Sequence, residues 1–379
     1  MQYRPYGTLS GESISALGFG CMRFPEFQKD GKWFVDEEKT IPMLRRAREL
    51  GVNYFDTGLW YCHGNSESAV GKAVKPFRKD VLVSTKLPMS HANATGDCRR
   101  ELERSLRELD TDYIDFYHFW SLDKPTFDEK VIGLKLLPEA LKAKEEGLIR
   151  HISFSFHDDA ANIKHIIDRG EIFETMLVQY NLLDRANEEM IAYAAGQGMG
   201  VAAMGPVAGG RLAAPTELYS RLTGKRSLPT CELALRFVLG NPNISCALSG
   251  MQSMGQLEQN VPVGDDETPL TPEEWRQIGD AIENLRRFSD LYCTGCAYCQ
   301  PCPAGIDIPQ IFKAYTYHNV YELHALGAKM FAEYRLKDGA TLKNCKNCGF
   351  CERQCPQRLA VRQELGRVER ILEKLGEQA

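Results

Sequence analysis

No run of about 18 apolar residues, the length a membrane-crossing helix needs, occurs anywhere in the 379 residues. The first residues, Met1-Gln2-Tyr3-Arg4-Pro5, lack the apolar core of a secretory signal. The expectation is a cytoplasmic protein with no membrane contact. An excess of charge of one sign is missing too: Lys and Arg number 46 against 51 Asp and Glu, a net −5 spread along the chain. Electrostatics therefore gives no case for nucleic acid or an anionic membrane. The bases near the C-terminus (Arg358, Arg362, Arg367, Arg370, Lys374) alternate with Glu and read as a solvated helix face. No flavin motif is recognisable. With 43% hydrophobic and 26% charged residues the composition is globular, and the length suits one large domain and a small one.

Cysteine is sparse in the first 290 residues, where Cys21, Cys62, Cys98, Cys231 and Cys246 are scattered, but eight fall between Cys293 and Cys355. That segregation marks a domain boundary. Before it, apolar β-rich pieces alternate with amphipathic helical pieces. Strands are expected at Ala16–Gly20, Asn53–Asp56, Val81–Thr85, Tyr113–Trp120, Ile149–Ser153, Met176–Gln179, Gly200–Ala203 and Ile244–Leu248, after an N-terminal hairpin over Tyr3–Ser15. Helices are expected at Glu38–Leu50, Asp97–Leu109 and Ile132–Glu146, the last stopped by Gly147. The expected fold class is α/β: a (β/α)8 TIM barrel over residues 1–265, a linker helix over 266–290 opened by Thr271-Pro272-Glu273-Glu274, and a domain over 291–379 that is mainly α-helical, from the helical periodicity of Ile308–Tyr334, and whose eight clustered cysteines resemble those of a ferredoxin.

In such a barrel the chemistry sits where strands end. The second strand delivers Asp56 and, five residues on, Tyr61; the third ends in Ser84-Thr85-Lys86. An acid, a phenol and an amine at neighbouring strand ends suit proton transfer to a carbonyl, Lys86 lowering the phenol's pKa and Asp56 holding Lys86. From periodicity alone, a surface Asp–Lys pair beside a rim tyrosine stays open.

These residues resemble the aldo-keto reductases, and specifically their iron–sulfur-containing branch, from about Gly18 to Asn260. Asp56-Thr57 followed by Tyr61, the series Gly64, Ser66, Glu67, Gly71, and the Ser84-Thr85-Lys86 strand end carry the likeness. It implies that Asp56, Tyr61 and Lys86 are three members of a catalytic tetrad. The fourth, a histidine, would stand at position 120, where this chain has Trp120; His118, two residues earlier and on the same strand face, is the candidate substitute. The likeness further implies that Ser155 and Gln179 bind the NAD(P)H carboxamide, that Met204 lies on the nicotinamide, and that the segment Gly205-Pro206-Val207-Ala208-Gly209-Gly210-Arg211 covers the pyrophosphate. Gly250, Ser253, Gln256, Gln259 and Asn260 match the adenosine end, with Gly250 and Gln256 where NADP-preferring members place cations.

The C-terminal cysteines run Cys293-x-x-Cys296-x-x-Cys299-x-x-Cys302-Pro303 and Cys345-x-x-Cys348-x-x-Cys351-x-x-x-Cys355-Pro356. The second run has the bacterial ferredoxin spacing, and the first is one residue short of it. Three close thiolates cap one cube and the cysteine before proline goes to the other. Two [4Fe–4S] clusters are therefore expected: Cys293, Cys296, Cys299 with Cys355, and Cys345, Cys348, Cys351 with Cys302. Paired Cys-x-x-Cys motifs also serve zinc, the competing assignment.

The expected function is a nicotinamide-dependent oxidoreductase interconverting a carbonyl and an alcohol, its clusters exchanging electrons with a ferredoxin-like partner. A flavin could mediate between hydride and single electrons but is not indicated. The alternative is an electron-transfer or redox-sensing protein whose barrel has lost reductase activity.

Overall fold

A computed structural model describes residues 1–182, 184–210, 212, 229–265, 270–271, 273–274, 276–278, 281, 291, 293–319, 324–336 and 339–376. The chain divides into two compact units, Met1–Pro206 with Leu235–Pro269, and Val207–Ala234 with Leu270–Ala379. Residues 207–234, which the alternation of elements reads as barrel, group with the C-terminal unit. Most of the linker helix read at 266–290 lies outside the described residues; at its start Thr271 Oγ1 accepts from Glu274 N (3.2 Å) and Glu274 Oε2 accepts from Thr271 N (2.7 Å), a reciprocal cap. Among the described residues no helix is long and apolar enough to cross a membrane.

The first unit opens with β1 (Tyr3–Pro5) and β2 (Ser13–Ser15), paired antiparallel as the expected hairpin. The barrel strands are β3 (Leu17–Gly20), β6 (Tyr54–Asp56), β7 (Leu82–Pro88), β8 (Ile114–Leu122), β9 (Ile149–Phe156), β10 (Thr175–Gln179), β11 (Gly200–Met204) and β12 (Cys246–Ser249). All eight are parallel and close in chain order, β12 pairing back to β3. Between β3 and β6 the chain adds an unanticipated hairpin, β4 (Glu26–Lys29) with β5 (Lys32–Val35). One end of the barrel is filled by Tyr6 and Ile14 against Tyr54, Leu82, Phe116 and Leu177.

Helices form where the sequence puts apolar residues on one stripe. Asp97–Leu109 buries Cys98, Leu102 and Leu109, spacings of four and seven, and ends where Asp110 turns left-handed (φ 48°). The helix expected over Ile132–Glu146 is split: a π-turn covers Phe127–Ile132, Lys135 is left-handed, and the α-helix runs Leu136–Glu145 before Gly147 (φ 78°).

The second unit has helices at Ile308–Asn319, His324–Leu336 and Val361–Gly376 and no strand among its described residues. Val361, Leu365, Val368 and Leu372 form one buried stripe of the last helix, packed with Ile311, Phe312 and Phe331. The cysteine runs lie around this core in loops, except Cys351, which sits in the short helix Phe350–Gln354. Thr341 and Asn344 cap each other, setting the turn that enters Cys345.

Candidate functional site

The parallel register of β6, β7 and β8 sets the first site. Asp56 pairs with Ser84, Lys86 with His118, and Pro88 with Trp120, so His118 and Trp120 point to the same inner side as Lys86 at successive heights. The Lys86 ammonium is 1% exposed and donates to both oxygens of Asp56 (2.7 and 2.8 Å) and to Thr57 O (2.5 Å). Asp56 Oδ1 also accepts from Ser84 Oγ at 2.7 Å. Burial pulls the Lys86 pKa below its ordinary value, and the Asp56 carboxylate opposes that shift.

Tyr61 opens a tight 3-10 turn, Tyr61–Gly64, in which Cys62 and His63 are left-handed. Ser66 ties this loop down by donating to Cys21 O (2.7 Å) while sharing a hydrogen bond with Thr57 Oγ1 (2.8 Å). So held, the Tyr61 ring lies with its centroid 4.7 Å from the Lys86 ammonium. Asp56, Tyr61 and Lys86 therefore converge.

Trp120 meets Tyr61 edge-on, ring centroids 5.5 Å apart. Trp60, 45% exposed, stands 5.0 Å from Trp120 and 5.3 Å from His91. His118 is fully buried, and neither ring nitrogen makes a hydrogen bond of ordinary geometry. Burial, then the Lys86 charge, hold its pKa well below 6.5, so the ring is neutral at pH 7.

Of the coenzyme candidates, Ser155, Gln179 and Met204 lie at the ends of barrel strands β9, β10 and β11. Ser155 Oγ accepts from Ser121 N at 2.7 Å, and Gln179 pairs in register with Met204. Gly205 is left-handed (φ 64°), and a Cβ there would stand 2.7 Å from the Gln179 amide, so only glycine lets that side chain lie across the turn. Asn181 Nδ2 donates to Gly205 O at 2.9 Å. Val207 and Gly209 belong to the second unit, where Val207 O accepts from Gly210 N (3.0 Å) and the Gly209 backbone packs on that of Thr294. Arg211 lies outside the described residues. Beyond β12, Ser253 caps the helix Met254–Asn260 by accepting from Gln256 N (3.3 Å), Gln256 Oε1 accepts from Gln252 N (2.7 Å), and Asn260 Nδ2 donates to Ser249 Oγ (3.2 Å). Gln259 lies on the same helix and is exposed.

Four residues were given no role from the sequence, although Glu67 was among those that carried the family likeness. Glu67 is buried and accepts from Thr85 Oγ1 at 2.5 Å, bracing the strand that carries Lys86. Trp60 contacts both Trp120 and His91. Arg23 places its side chain 3.8 Å from where a Gly250 Cβ would stand, next to the adenosine-end segment. Being the first charge after β3, it was accessible to the same strand-end reasoning that found Asp56.

In the second unit the thiols gather in two sets. Burial, followed by the charges of Cys296, Cys293 and Cys355, raises the pKa of Cys299. Cys351 is raised by burial and Glu352, with Cys302 and Cys345 as further neighbours. Cys302, Cys345, Cys348 and Cys351 line one cavity with Pro303 and Ile306, and Cys299 of the other set also reaches its wall. Among the described residues no three His, Cys, Asp or Glu side chains close on one point as a single ion requires. Thiols ringing an apolar cavity fit a bulkier iron–sulfur group, whose irons would take up the negative charge that crowds them.

A family model for the aldo/keto reductase family matches residues 16–283, and one for a 4Fe-4S dicluster domain matches residues 292–361. An uncharacterized oxidoreductase of Schizosaccharomyces pombe is 30% identical over 65% of this chain and 81% of its own. The L-galactose dehydrogenase of Arabidopsis thaliana is 28% identical over 75% of this chain and 96% of its own. Among solved structures, the holo form of an aldo-keto reductase from Bacillus halodurans superposes with a TM-score of 0.63 at 29% identity, covering 74% of this chain and 96% of that one.

Proposed function

The chain belongs to the aldo/keto reductase family of oxidoreductases and carries a C-terminal 4Fe-4S dicluster domain, and on that premise we propose that it interconverts a carbonyl and an alcohol with NAD(P)H while its clusters exchange electrons with a ferredoxin-like carrier. One observation carries the reading: a buried Lys86–Asp56 pair set against the Tyr61 ring at the strand ends. Bound NAD(P)H would supply hydride to the carbonyl carbon. Tyr61 would give its hydroxyl proton to the carbonyl oxygen, and the nearby ammonium stabilises the phenolate left behind. Asp56 keeps that ammonium charged and fixed. Ser155 and Gln179 would hold the carboxamide, with Met204 as a polarisable contact. His118, fully buried and paired in register with Lys86, is assigned a positioning role through that residue.

Cys293, Cys296, Cys299 and Cys355 would hold one cluster, and Cys302, Cys345, Cys348 and Cys351 the other; their chemistry is one-electron transfer. A second reading, a redox protein whose barrel no longer reduces carbonyls, draws on Trp120, which has no acceptor-facing imidazole to help Tyr61 hold a carbonyl oxygen. Anaerobic titration of the holoprotein with NADH and NADPH separates the two. Joint loss of nicotinamide absorbance and cluster colour is expected; absence of coenzyme binding would sink the enzyme reading.

A further inference from the structure

The two cysteine runs differ sharply in charge. From Cys293 to Ile306 there is no Lys, Arg, Asp or Glu, whereas residues 343–362 hold Lys343, Lys346, Arg353, Arg358 and Arg362 against the single acid Glu352, a net +4 in a chain of net −5. Glu352 is itself engaged by Arg362 (2.6 Å). Lys343, Lys346, Arg353 and Arg358 are exposed, and Cys348 is the one exposed thiol of the eight. Arg353 Nη1 donates to Cys348 O at 2.9 Å, seating its guanidinium on the turn of that thiol, and Lys346 lines the cavity that Cys302, Cys345, Cys348 and Cys351 share with Cys299. Positive charge thus surrounds the most accessible cluster position and is absent from the other run.

We propose that this face docks an acidic one-electron carrier protein, and that electrons enter and leave at the site of Cys302, Cys345, Cys348 and Cys351. The proposal rests on the reading of the clusters as electron-exchanging. Each encounter moves one electron between carrier and cluster site, one oxidised as the other is reduced, with no bond made or broken. Cations grouped within a Debye length of about 8–10 Å act together and speed the approach of an acidic partner by about 10- to 1000-fold at low salt. A nucleic acid would be drawn by the same charges, but the patch centres on a redox thiol and offers no exposed aromatic on which bases could stack.

The test uses the holoprotein and, as probe, a reduced acidic two-[4Fe–4S] ferredoxin, with cluster bleaching followed by stopped flow and carrier binding by calorimetry. Lys343→Glu/Lys346→Glu should slow electron uptake and weaken binding at least about tenfold at low ionic strength. The gap should close near 1 M salt, where the Debye length is about 3 Å. Iron content should be unchanged, and Lys29→Glu/Lys32→Glu, on the exposed β4–β5 hairpin, should behave as wild type. Equal rates in both variants, or an equal loss in the hairpin variant, would overturn the docking face while leaving electron exchange intact. Failure of the ferredoxin to bleach clusters that dithionite does bleach would instead bring down the electron-exchange reading itself. Tight binding of a mixed-sequence oligonucleotide, lost on the same reversal while ferredoxin uptake is unaffected, would reassign the patch to nucleic acid.

Discussion

The Lys86 ammonium stands 4.7 Å from the centroid of the Tyr61 ring, and three hydrogen bonds to Asp56 and Thr57 take up all its protons. Lys86 therefore acts on Tyr61 as a fixed buried charge. Tyr61→Phe keeps the ring and its edge contact with Trp120 but removes the hydroxyl. Carbonyl turnover is expected to fall by at least about a hundredfold, the low end of what a positioned acid contributes. Coenzyme affinity and iron content should stay at wild-type values, and steady-state kinetics with fluorescence titration checks both.

The same pair predicts a non-additive stability pattern. Asp56→Leu strands a buried ammonium, and breaking a buried pair in this way costs about 3–5 kcal/mol. Asp56→Leu/Lys86→Met removes both charges and should denature at a higher temperature than Asp56→Leu alone. A double variant no more stable than the single would show that packing, not charge, holds this site.

His118 gives a pH dependence. Its folded pKa is depressed below 6.5 by burial, so the unfolded chain binds a proton more readily. The stability tied to the neutral ring is complete above 6.5 and is lost as pH falls below it. Between pH 6.5 and 5 the loss reaches up to about 2 kcal/mol for one such group. Denaturation of wild type and His118→Phe at pH 7 and pH 5 measures it: the variant should lose less stability on acidification, and identical losses would remove His118 as the source.

At the adenosine end, Gly250 and Gln256 offer no cation, and the Gln256 side chain is occupied by Gln252 N. NAD and NADP are expected to bind within about a hundredfold of each other, a span of about 2.7 kcal/mol. Calorimetric dissociation constants decide this. A stronger preference for NADP, abolished by Arg23→Ala, would identify Arg23 as the phosphate clamp.

All eight barrel strands were legible because each is a short β-rich run between helical stripes, and the site followed because the polar residues past those runs are few. What was not legible depends on contacts between distant segments. The β4–β5 hairpin exposes Phe27, Trp33 and Phe34 and buries only Val35 of its apolar residues, so it leaves no periodic signal. The π-turn at Phe127–Ile132 interrupts a stretch whose composition is helical throughout. The full burial of His118, the wedge of Trp120 on Tyr61 and the approach of Arg23 to Gly250 are set by barrel closure, which no local pattern encodes.

The crossed assignment of the clusters is testable through Cys355, which lies in the second run but neighbours Cys299 of the first. A cube is held by three thiolates from one short loop and a fourth from elsewhere, so losing the distant ligand leaves a cube on three thiolates and open to solvent. In Cys355→Ala, the cluster of Cys293, Cys296 and Cys299 should be the one that degrades. In Cys302→Ala, it should be the cluster of Cys345, Cys348 and Cys351, whose cavity Cys302 lines. The runs differ in surrounding charge, and the cations beside the second raise its reduction potential relative to the first, so the two signals separate in a redox titration followed by electron paramagnetic resonance. The expected outcome is loss of the lower-potential signal in Cys355→Ala and of the higher-potential signal in Cys302→Ala. The reverse pattern would mean that each run ligates its own cluster.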